Sequence, residues 1–377
     1  MSAGLHESLF KIDSHIDTPT GGLMRPGWDF GARHDYAADG TQCDLPRMRE
    51  GGIDALVFAV YSTQGARTPA GFAAAHDRAV EVFARTHAVI RQHEGQCGLA
   101  LAADDGPRLK AAGRRAFYLS IENSYSLGRE AARVQEFHDL GMRVLGLTHM
   151  LNNDVADSST DPRGPEWGGL SPFGREVVAE CNRLGVVVDA SHASDAALEE
   201  LLAVSRTPPV LTHSGCRAVC DHPRNIGDDL LRALAAKGGV IQINALPVAV
   251  VPAREDGRTA ALAELLLRLG NTVFTPAALA AAGAEWHRIE TTYPNPPATL
   301  ADYLRHIEHA VAVAGIDHVG IGCDFDGGGG VQGLNEVSEY PNLTAALRAR
   351  GWSESALGKL WGGNFLRVLG AAGWRAA

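Results

Sequence analysis

The chain has 377 residues, of which 45% are hydrophobic and 21% are charged, so it is long and apolar enough for one large α/β barrel or two ordinary domains. Its net charge of -10 and the lack of a Lys/Arg cluster argue against a surface that binds nucleic acid. No stretch approaches the roughly 18 uninterrupted apolar residues of a membrane span, and the N-terminal residues lack the basic start and apolar centre of a signal peptide.

Strand-like apolar runs alternate with segments of helical spacing along most of the chain. Strands are predicted over residues 9–16, 55–61, 97–102, 116–122, 143–148, 186–189, 210–212, 239–244 and 318–322. Helices are predicted between them, over residues 70–93, 130–140, 174–184, 195–204, 228–236 and 300–314. This alternation predicts a parallel sheet closed into a (β/α)8 barrel, with one strand beyond the eight and a single domain over residues 1–377.

Two segments fall outside the repeat. Residues 247–297 form an Ala/Leu-rich stretch, which we predict to be a helical insertion near the barrel mouth. It acts either as a lid that shapes the substrate pocket or as an oligomer contact, and both alternatives stay open. The four glycines at 327–330 lack the Lys-Ser/Thr of a phosphate loop, so we predict a flexible loop that lets the backbone approach the site.

Six cysteines are scattered along the chain without a Cys-x2-Cys pair. This spacing is typical of free thiols in a reducing compartment rather than of a zinc-thiolate site. Together with the missing membrane and export signals, it predicts a cytoplasmic protein whose partner is a small molecule.

Polar residues suited to catalysis recur where the predicted strands end. In a (β/α)8 barrel the carboxyl ends of the strands and the loops after them form one mouth, so these side chains are expected to converge. A single strand-end histidine is more often structural than a ligand, but several together with carboxylates reverse that expectation. The residues concerned are His15, Asp17, Glu122, His149, His192, His213 and Asp324.

Imidazole and carboxylate are ligands that zinc prefers, and the His-x-Asp alternation of His15 and Asp17 aims both side chains at one face of a strand. A carboxylate such as Glu122 can bridge two cations about 3.5 to 4 Å apart. With His192 and His213, these residues supply enough ligands for two zinc ions, other divalent metals being alternatives. A bridging water, whose pKa falls from 15.7 toward about 7 beside such a metal, is then the nucleophile.

Eight motifs in order resemble those of the membrane dipeptidase (renal dipeptidase) family of zinc peptidases. They are DSHID at 13–17, CDLPRMREGG at 43–52, LTHMLNN at 147–153, DASH at 189–192, THS at 212–214, PRN at 223–225, GIGCDFDG at 320–327 and WGGNFLR at 361–367. The resemblance covers almost the whole chain. It implies a (β/α)8 barrel with a binuclear zinc site, a homodimer, and hydrolysis of dipeptides by a metal-bridging hydroxide, including dipeptides with a D-residue at the C-terminal position.

Transferred residue by residue, the family pattern assigns roles to the strand-end side chains. His15 and Asp17 belong to one zinc, His192 and His213 to the other, and Glu122 to both. His149 polarises the substrate or holds the tetrahedral intermediate, and Arg224 grips the C-terminal carboxylate of the dipeptide. Asp324 takes a proton from the water and passes it to the leaving amine, whereas Asp326 is expected to be structural.

The chain departs from the family pattern in three places, of which the first two bear on the substrate. Glu122 is followed by Asn123-Ser-Tyr125 rather than by glycines, so we add Tyr125 to the substrate-binding residues. The segment after Asn244 differs as well, which predicts a rebuilt pocket. Animal members carry a lipid anchor, but residues 370–377 are too short and polar for one.

Two other functions are considered beside the dipeptidase. One is a related amidohydrolase that acts on a non-peptide amide or lactam, and Arg224 separates it from a dipeptidase because a carboxylate clamp demands a free C-terminal carboxylate. In the alternative, Arg224 pairs with Asp228 or Asp229 and only holds a loop. The other function is a metal-binding module without catalysis, for which Asp324 and His149 would be dispensable.

Overall fold

The computed structural model describes residues 2–253 and 256–373. The strands of this part of the chain are β1 Ile12–Ile16, β2 Ala55–Tyr61, β3 Cys97–Leu99, β4 Arg115–Glu122, β5 Met142–Gly146, β6 Val187–Asp189, β7 Val210–Cys216, β8 Asn225–Ile226, β9 Val240–Ile243 and β10 Val319–Ile321. Its α-helices are α1 Ser2–Ser8, α2 Tyr36–Asp39, α3 Leu45–Glu50, α4 Pro69–Gln92, α5 Asp105–Ala111, α6 Arg133–Asp139, α7 Pro172–Leu184, α8 Asp195–Val204, α9 Asp228–Ala236, α10 Pro247–Val250, α11 Arg258–Leu269, α12 Pro276–Thr292, α13 Leu300–Ala314, α14 Tyr340–Ala349, α15 Glu354–Gly358 and α16 Asn364–Ala371.

Eight parallel strands form a nearly closed barrel in the order β1-β2-β4-β5-β6-β7-β9-β10. The end of the first strand and the segment after the last strand are joined by hydrogen bonds from Asp17 N to Phe325 O (2.9 Å) and from Asp324 N to His15 O (3.2 Å). The prediction of a (β/α)8 barrel is therefore confirmed. The strand beyond the eight is β3, which pairs with β4 beside the barrel path, and the two-residue strand β8 pairs with β7.

The barrel strands are buried on both faces, as is usual for parallel strands covered by helices. In β2, Ala55 and Val57 pack with inward-facing residues of other strands such as Val144, whereas Leu56 and Phe58 pack against the surrounding helices. The near-continuous apolar run of this strand follows from that double burial.

Several predicted bounds match the structure closely, and the strand predicted over residues 97–102 is the clearest exception. Helices α8, α9 and α13 have the predicted bounds, and α13 begins with a capping box in which Thr299 and Asp302 bind each other's backbone N–H groups. Strand β3 ends early because the Asp105 carboxylate accepts hydrogen bonds from the backbone N–H groups of Leu101 and Ala102, which turns the chain into α5.

The predicted insertion is helical and comprises α10, α11 and α12. The loop between α11 and α12 meets the segment after β2, where Ala66 N donates a hydrogen bond to Thr272 O at 2.8 Å. The insertion therefore reaches the rim formed by the strand ends, and its role as a lid or an oligomer contact stays a prediction. Residues 254–255 and 374–377, the latter part of the segment expected to carry no anchor, lie outside the described residues. None of the described helices has the length and apolarity needed to cross a membrane.

Candidate metal and substrate site

The five side chains predicted to bind metal meet at the carboxyl ends of the barrel strands. Each is at most 6% exposed, and they come from β1 and the residue after it, from the end of β4, from the turn after β6 and from β7. They are His15, Asp17, Glu122, His192 and His213.

Register shifts bring two of these histidines into the site. On β1, the three steps from Asp13 to Ile16 oppose the two steps from Leu56 to Phe58 on β2. On β7, the three steps from Leu211 to Ser214 likewise oppose two steps on β9. A bulge of one residue re-aims side chains that a regular strand would place on alternate faces. His15 and His213 both lie inside these irregular stretches.

Glu122 lies at the centre of the cluster. Its Oε2 is 3.5 Å from His15 Nε2, and its Oε1 is 3.0 Å from His192 Nε2 and 3.5 Å from His213 Nε2. Asp17 Oδ2 lies 3.3 Å from His15 Nε2 on the other side. Glu122 is thus shared by two sets of potential ligand atoms, one with His15 and Asp17 and one with His192 and His213.

The nitrogen and oxygen atoms of this cluster suit a divalent cation. His15 Nε2 is buried and has no hydrogen-bond partner among the described residues. The Nε2 atoms of His192 and His213 face each other at 2.9 Å while both lie near the Glu122 carboxylate. Burial works against ionisation of Glu122, yet the neighbouring His15 holds the pKa of this carboxyl well below its usual range. Against the effect of burial, Glu122 and Asp17 raise the pKa of His15, whereas burial lowers the pKa of His192 and His213. With His15 deprotonated on binding, an anionic carboxylate among these ring nitrogens is a donor set for zinc or a similar ion.

Asp324 lies beside this cluster in the loop after β10. Its backbone has a φ of 63°, a left-handed conformation that is uncommon for residues other than glycine, and its Oδ1 is 3.9 Å from His15 Nε2. Burial raises the pKa of the Asp324 carboxyl, and the nearby carboxylates of Asp17 and Glu122 add to this effect. Asp326 has a similar φ of 64°, but its carboxylate accepts hydrogen bonds from Thr18 Oγ1 and Gln42 N and so holds the loop.

His149 lies at the more open side of the cluster, with 19% of its side chain exposed and Nε2 3.7 Å from Glu122 Oε1. Burial lowers its pKa to about 4, so the ring is neutral at physiological pH. It packs between His192 and Tyr61, with ring centroids 4.2 and 4.6 Å away. Tyr61 was not among the predicted site residues, although it ends β2 opposite Glu122 of β4 and its strand-end position was the available signal.

Arg224 is 4% exposed and lies next to the same cluster. Its Nη2 donates a hydrogen bond to His213 O at 3.1 Å, and its Nη1 is buried without a hydrogen-bond partner among the described residues. The acidic residues considered as alternative partners are engaged elsewhere, Asp228 with His309 and Asp229 with Arg232, each at 2.8 Å. The guanidinium therefore keeps donor capacity for an anion.

Tyr125 is oriented away from this arrangement. Its hydroxyl donates a hydrogen bond to Ala66 O at 2.7 Å, and its ring packs on Phe72 of α4. The preceding Asn123 has a φ of 75°, and its side chain binds Ser62 O and Asn153, which fixes the turn after Glu122. A direct contact of Tyr125 with substrate stays a prediction, since the side chain is 2% exposed and its hydroxyl is already bound.

Gly327 shows why a glycine follows the loop aspartates. A Cβ atom at this position would lie 2.2 Å from Asp17 Oδ2 and 2.4 Å from Asp324 Oδ1, so the backbone approaches both carboxylates as predicted for this loop.

We therefore expect Gly327→Ala to lower kcat/KM by on the order of 10²-fold, because a displacement of about 1 Å at reacting groups costs that much. The measurement is steady-state kinetics together with the free energy of unfolding. Gly370→Ala in α16 is the control, since a Cβ there meets no atom within 4 Å and alanine favours a helix. Equal activity of the two variants would contradict the close approach at Gly327.

Three comparisons place the chain among known proteins. The family model described as membrane dipeptidase, peptidase family M19, matches residues 2–376. Dipeptidase aclJ of Aspergillus oryzae is 32% identical, over 97% of this chain and 81% of that protein. The crystal structure of the probable dipeptidase PvdM from Pseudomonas aeruginosa superposes with a TM-score of 0.84 at 31% identity, over 100% of this chain and 98% of the other. A metallopeptidase from Rhodobacter sphaeroides, solved with a phosphinate mimic of the dipeptide L-Ala-D-Ala, has a TM-score of 0.77 at 26% identity, over 97% and 99% of the two chains.

Proposed function

The chain belongs to the membrane dipeptidase family, peptidase family M19, and from this premise we propose that it hydrolyses dipeptides with two zinc ions per chain. Membership confirms the resemblance inferred from the eight motifs and makes the enzyme a metal-dependent hydrolase of peptide bonds. The position of Glu122, within 3.5 Å of histidines from both ligand sets, is the single observation that best supports two ions rather than one.

In this proposal His15 and Asp17 would hold one ion, His192 and His213 would hold the other, and Glu122 would serve both. Five ligands at strand ends exceed what one four-coordinate zinc with an open position can use. When bound, such ions act as Lewis acids and make water a nucleophile at neutral pH.

The remaining side chains orient the dipeptide and move protons. Arg224 binds the C-terminal carboxylate through its buried guanidinium, a geometry that favours two parallel hydrogen bonds. His149, neutral and near Glu122, donates toward the oxygen of the scissile carbonyl. Asp324 takes the proton of the attacking water and gives it to the leaving amine.

The amidohydrolase alternative is not favoured, because the compared proteins above 25% identity are described as dipeptidases or as a metallopeptidase with a dipeptide mimic. The ligand in the Rhodobacter sphaeroides structure mimics a dipeptide whose C-terminal residue is D-alanine. It supports our proposal that this chain also accepts a D-residue there.

We further propose a cytoplasmic homodimer. All six cysteines are unpaired and buried, which is the usual state of thiols in a reducing compartment. The dimer rests on the family resemblance, and sedimentation equilibrium of the purified protein tests it.

The proposed binuclear site predicts two equivalents of zinc per chain. Activity on L,L and L,D dipeptides is expected to disappear when the metal is chelated and to return when zinc is added. Glu122→Gln is expected to lower both the stoichiometry and kcat, because an amide is a weaker ligand and cannot bridge with two anionic oxygens. Elemental analysis and a dipeptide assay measure these outcomes. Saturation of the wild-type protein at one equivalent would contradict the binuclear site.

A further inference from the structure

A buried carboxylate and a buried hydroxyl connect the two sets of metal ligands on the side of the histidine rings opposite Glu122. Thr212 Oγ1 lies 2.9 Å from His213 Nδ1 and 3.4 Å from His15 Nδ1, so one hydroxyl meets a histidine of each set. On its other side, Thr212 Oγ1 donates a hydrogen bond to Asp189 Oδ2 at 2.5 Å. Thr212 is 1% and Asp189 5% exposed, so water does not compete for these bonds.

Counting hydrogens fixes the direction of the bonds that Thr212 makes with Asp189 and with the two histidines. A hydroxyl has one hydrogen to donate and two lone pairs to accept, whereas a carboxylate only accepts. Ser191 Oγ uses its hydrogen on Asp189 Oδ1 at 2.5 Å, and Thr212 Oγ1 uses its hydrogen on Asp189 Oδ2. Thr212 therefore has lone pairs alone for the histidines, and each histidine Nδ1 that meets it must carry the hydrogen.

A hydrogen on Nδ1 determines the state of the opposite ring nitrogen, Nε2. A neutral imidazole with hydrogen on Nδ1 has a free lone pair on Nε2, and the Nε2 atoms of His15 and His213 are the ones that face Glu122. We propose that Asp189 and Thr212 are positioning residues that set the metal-binding tautomer of His15 and His213 together, through one shared hydroxyl. This inference rests on the proposed function only in taking these histidines as metal ligands.

His192 lacks this support. Its Nδ1 is buried and has no hydrogen-bond partner within residues 2–253 and 256–373. The effect of Thr212 is therefore specific to one histidine from each ligand set, and removing its hydroxyl is expected to weaken both ion-binding events.

The test is zinc affinity of the metal-free protein, measured by competition with a chromophoric chelator. We expect Thr212→Val to weaken both binding events by about 10- to 100-fold, the usual cost of losing a partner behind a ligand, and Thr212→Ser to restore them. Thr344→Val is the matched control. The Thr344 hydroxyl is also buried against a histidine Nδ1, that of His6 at 2.7 Å, and it accepts from Trp361 Nε1, away from the site. Its loss is expected to lower the free energy of unfolding without changing zinc affinity.

Asp189→Asn keeps the size of the side chain but is expected to reverse the direction of its hydrogen bond with Thr212. Oδ1 of Asp189 accepts from Ser191 N, Ser191 Oγ and Thr212 N, so the amide nitrogen of asparagine would face Thr212 and donate to it. The Thr212 hydrogen would then turn toward His213 Nδ1 and move the imidazole hydrogen to Nε2, where it blocks the metal. We expect a loss of zinc affinity at least as large as in Thr212→Val, and this variant carries the test if Thr212→Val does not fold.

Wild-type zinc affinity in Thr212→Val or Asp189→Asn, or weakening of only one binding event, would overturn the shared positioning role. Equal losses in Thr212→Val and Thr212→Ser would overturn it too, because the hydroxyl would then be irrelevant. Failure of the proposed function looks different. In that case the wild-type protein binds zinc without cleaving dipeptides, while the variants still differ in affinity.

Discussion

Asp324→Asn is expected to lower kcat by about 10²- to 10⁴-fold while the fold and the metal content persist, because proton transfer by a positioned side chain contributes a factor of this size. The carboxylate lies 3.9 Å from His15 Nε2, and the Asp324 N–H donates to His15 O, so the side chain is held at the cluster. Asparagine keeps the shape but cannot accept and return a proton. The loss is therefore expected in kcat rather than mainly in KM.

Asp326→Asn is the control for this prediction. Asp326 shares the loop and the left-handed backbone conformation, but its carboxylate is occupied by Thr18 and Gln42. We expect it to lower the free energy of unfolding and to change kcat far less than Asp324→Asn. A near wild-type kcat in Asp324→Asn would assign the proton transfer to another group. Loss of metal in that variant would make Asp324 a ligand, which its grouping with His15 and His213 within 4.8 Å would allow.

Arg224 is expected to restrict the enzyme to substrates with a free C-terminal carboxylate. The carboxylate of a dipeptide lies a short, fixed distance from the scissile carbonyl, so one guanidinium can accept dipeptides and reject longer chains. Leaving a buried charge without its partner costs about 2–5 kcal/mol. At 1.36 kcal/mol per factor of ten, kcat/KM for a dipeptide is expected to exceed that for its C-terminal amide by about 30- to 5,000-fold.

Arg224→Lys is expected to lower kcat/KM for dipeptides clearly, because an ammonium cannot make the two parallel hydrogen bonds of a guanidinium. Arg217→Lys is the matched control, since Arg217 follows the same strand but already binds both carboxylate oxygens of Asp195, at 2.6 and 2.8 Å. Comparable kcat/KM for dipeptide and amide in the wild-type enzyme would leave Arg224 with a role only in holding the loop through His213 O.

Local patterns were enough to predict the barrel. An apolar run such as Ala55–Tyr61 indicates a strand that is buried on both faces, and an amphipathic segment such as Asp195–Val204 indicates a helix that is buried on one face. Both patterns are formed by residues that are close together in the sequence. Because a barrel gathers the ends of its strands at one mouth, the sequence also predicted which polar residues would meet there, from His15 to Asp324.

Contacts between distant segments were decided by the tertiary structure alone. The sequence pattern of β3 is typical of a barrel strand, and only its pairing with β4 shows that it lies beside the barrel path. Three further features cannot be recognised from neighbouring residues in the sequence. They are the register shifts in β1 and β7, the turn of Tyr125 toward Ala66, and the position of the Thr212 hydroxyl between two histidines. Thr212 and His15 are 197 residues apart in the sequence, and they meet because barrel closure brings β1 and β7 into contact, although β9 and β10 lie between them in the strand order. Periodicity specifies which face of an element is buried, but the hydrogen-bond partners of a buried polar group are specified by how the elements close around it.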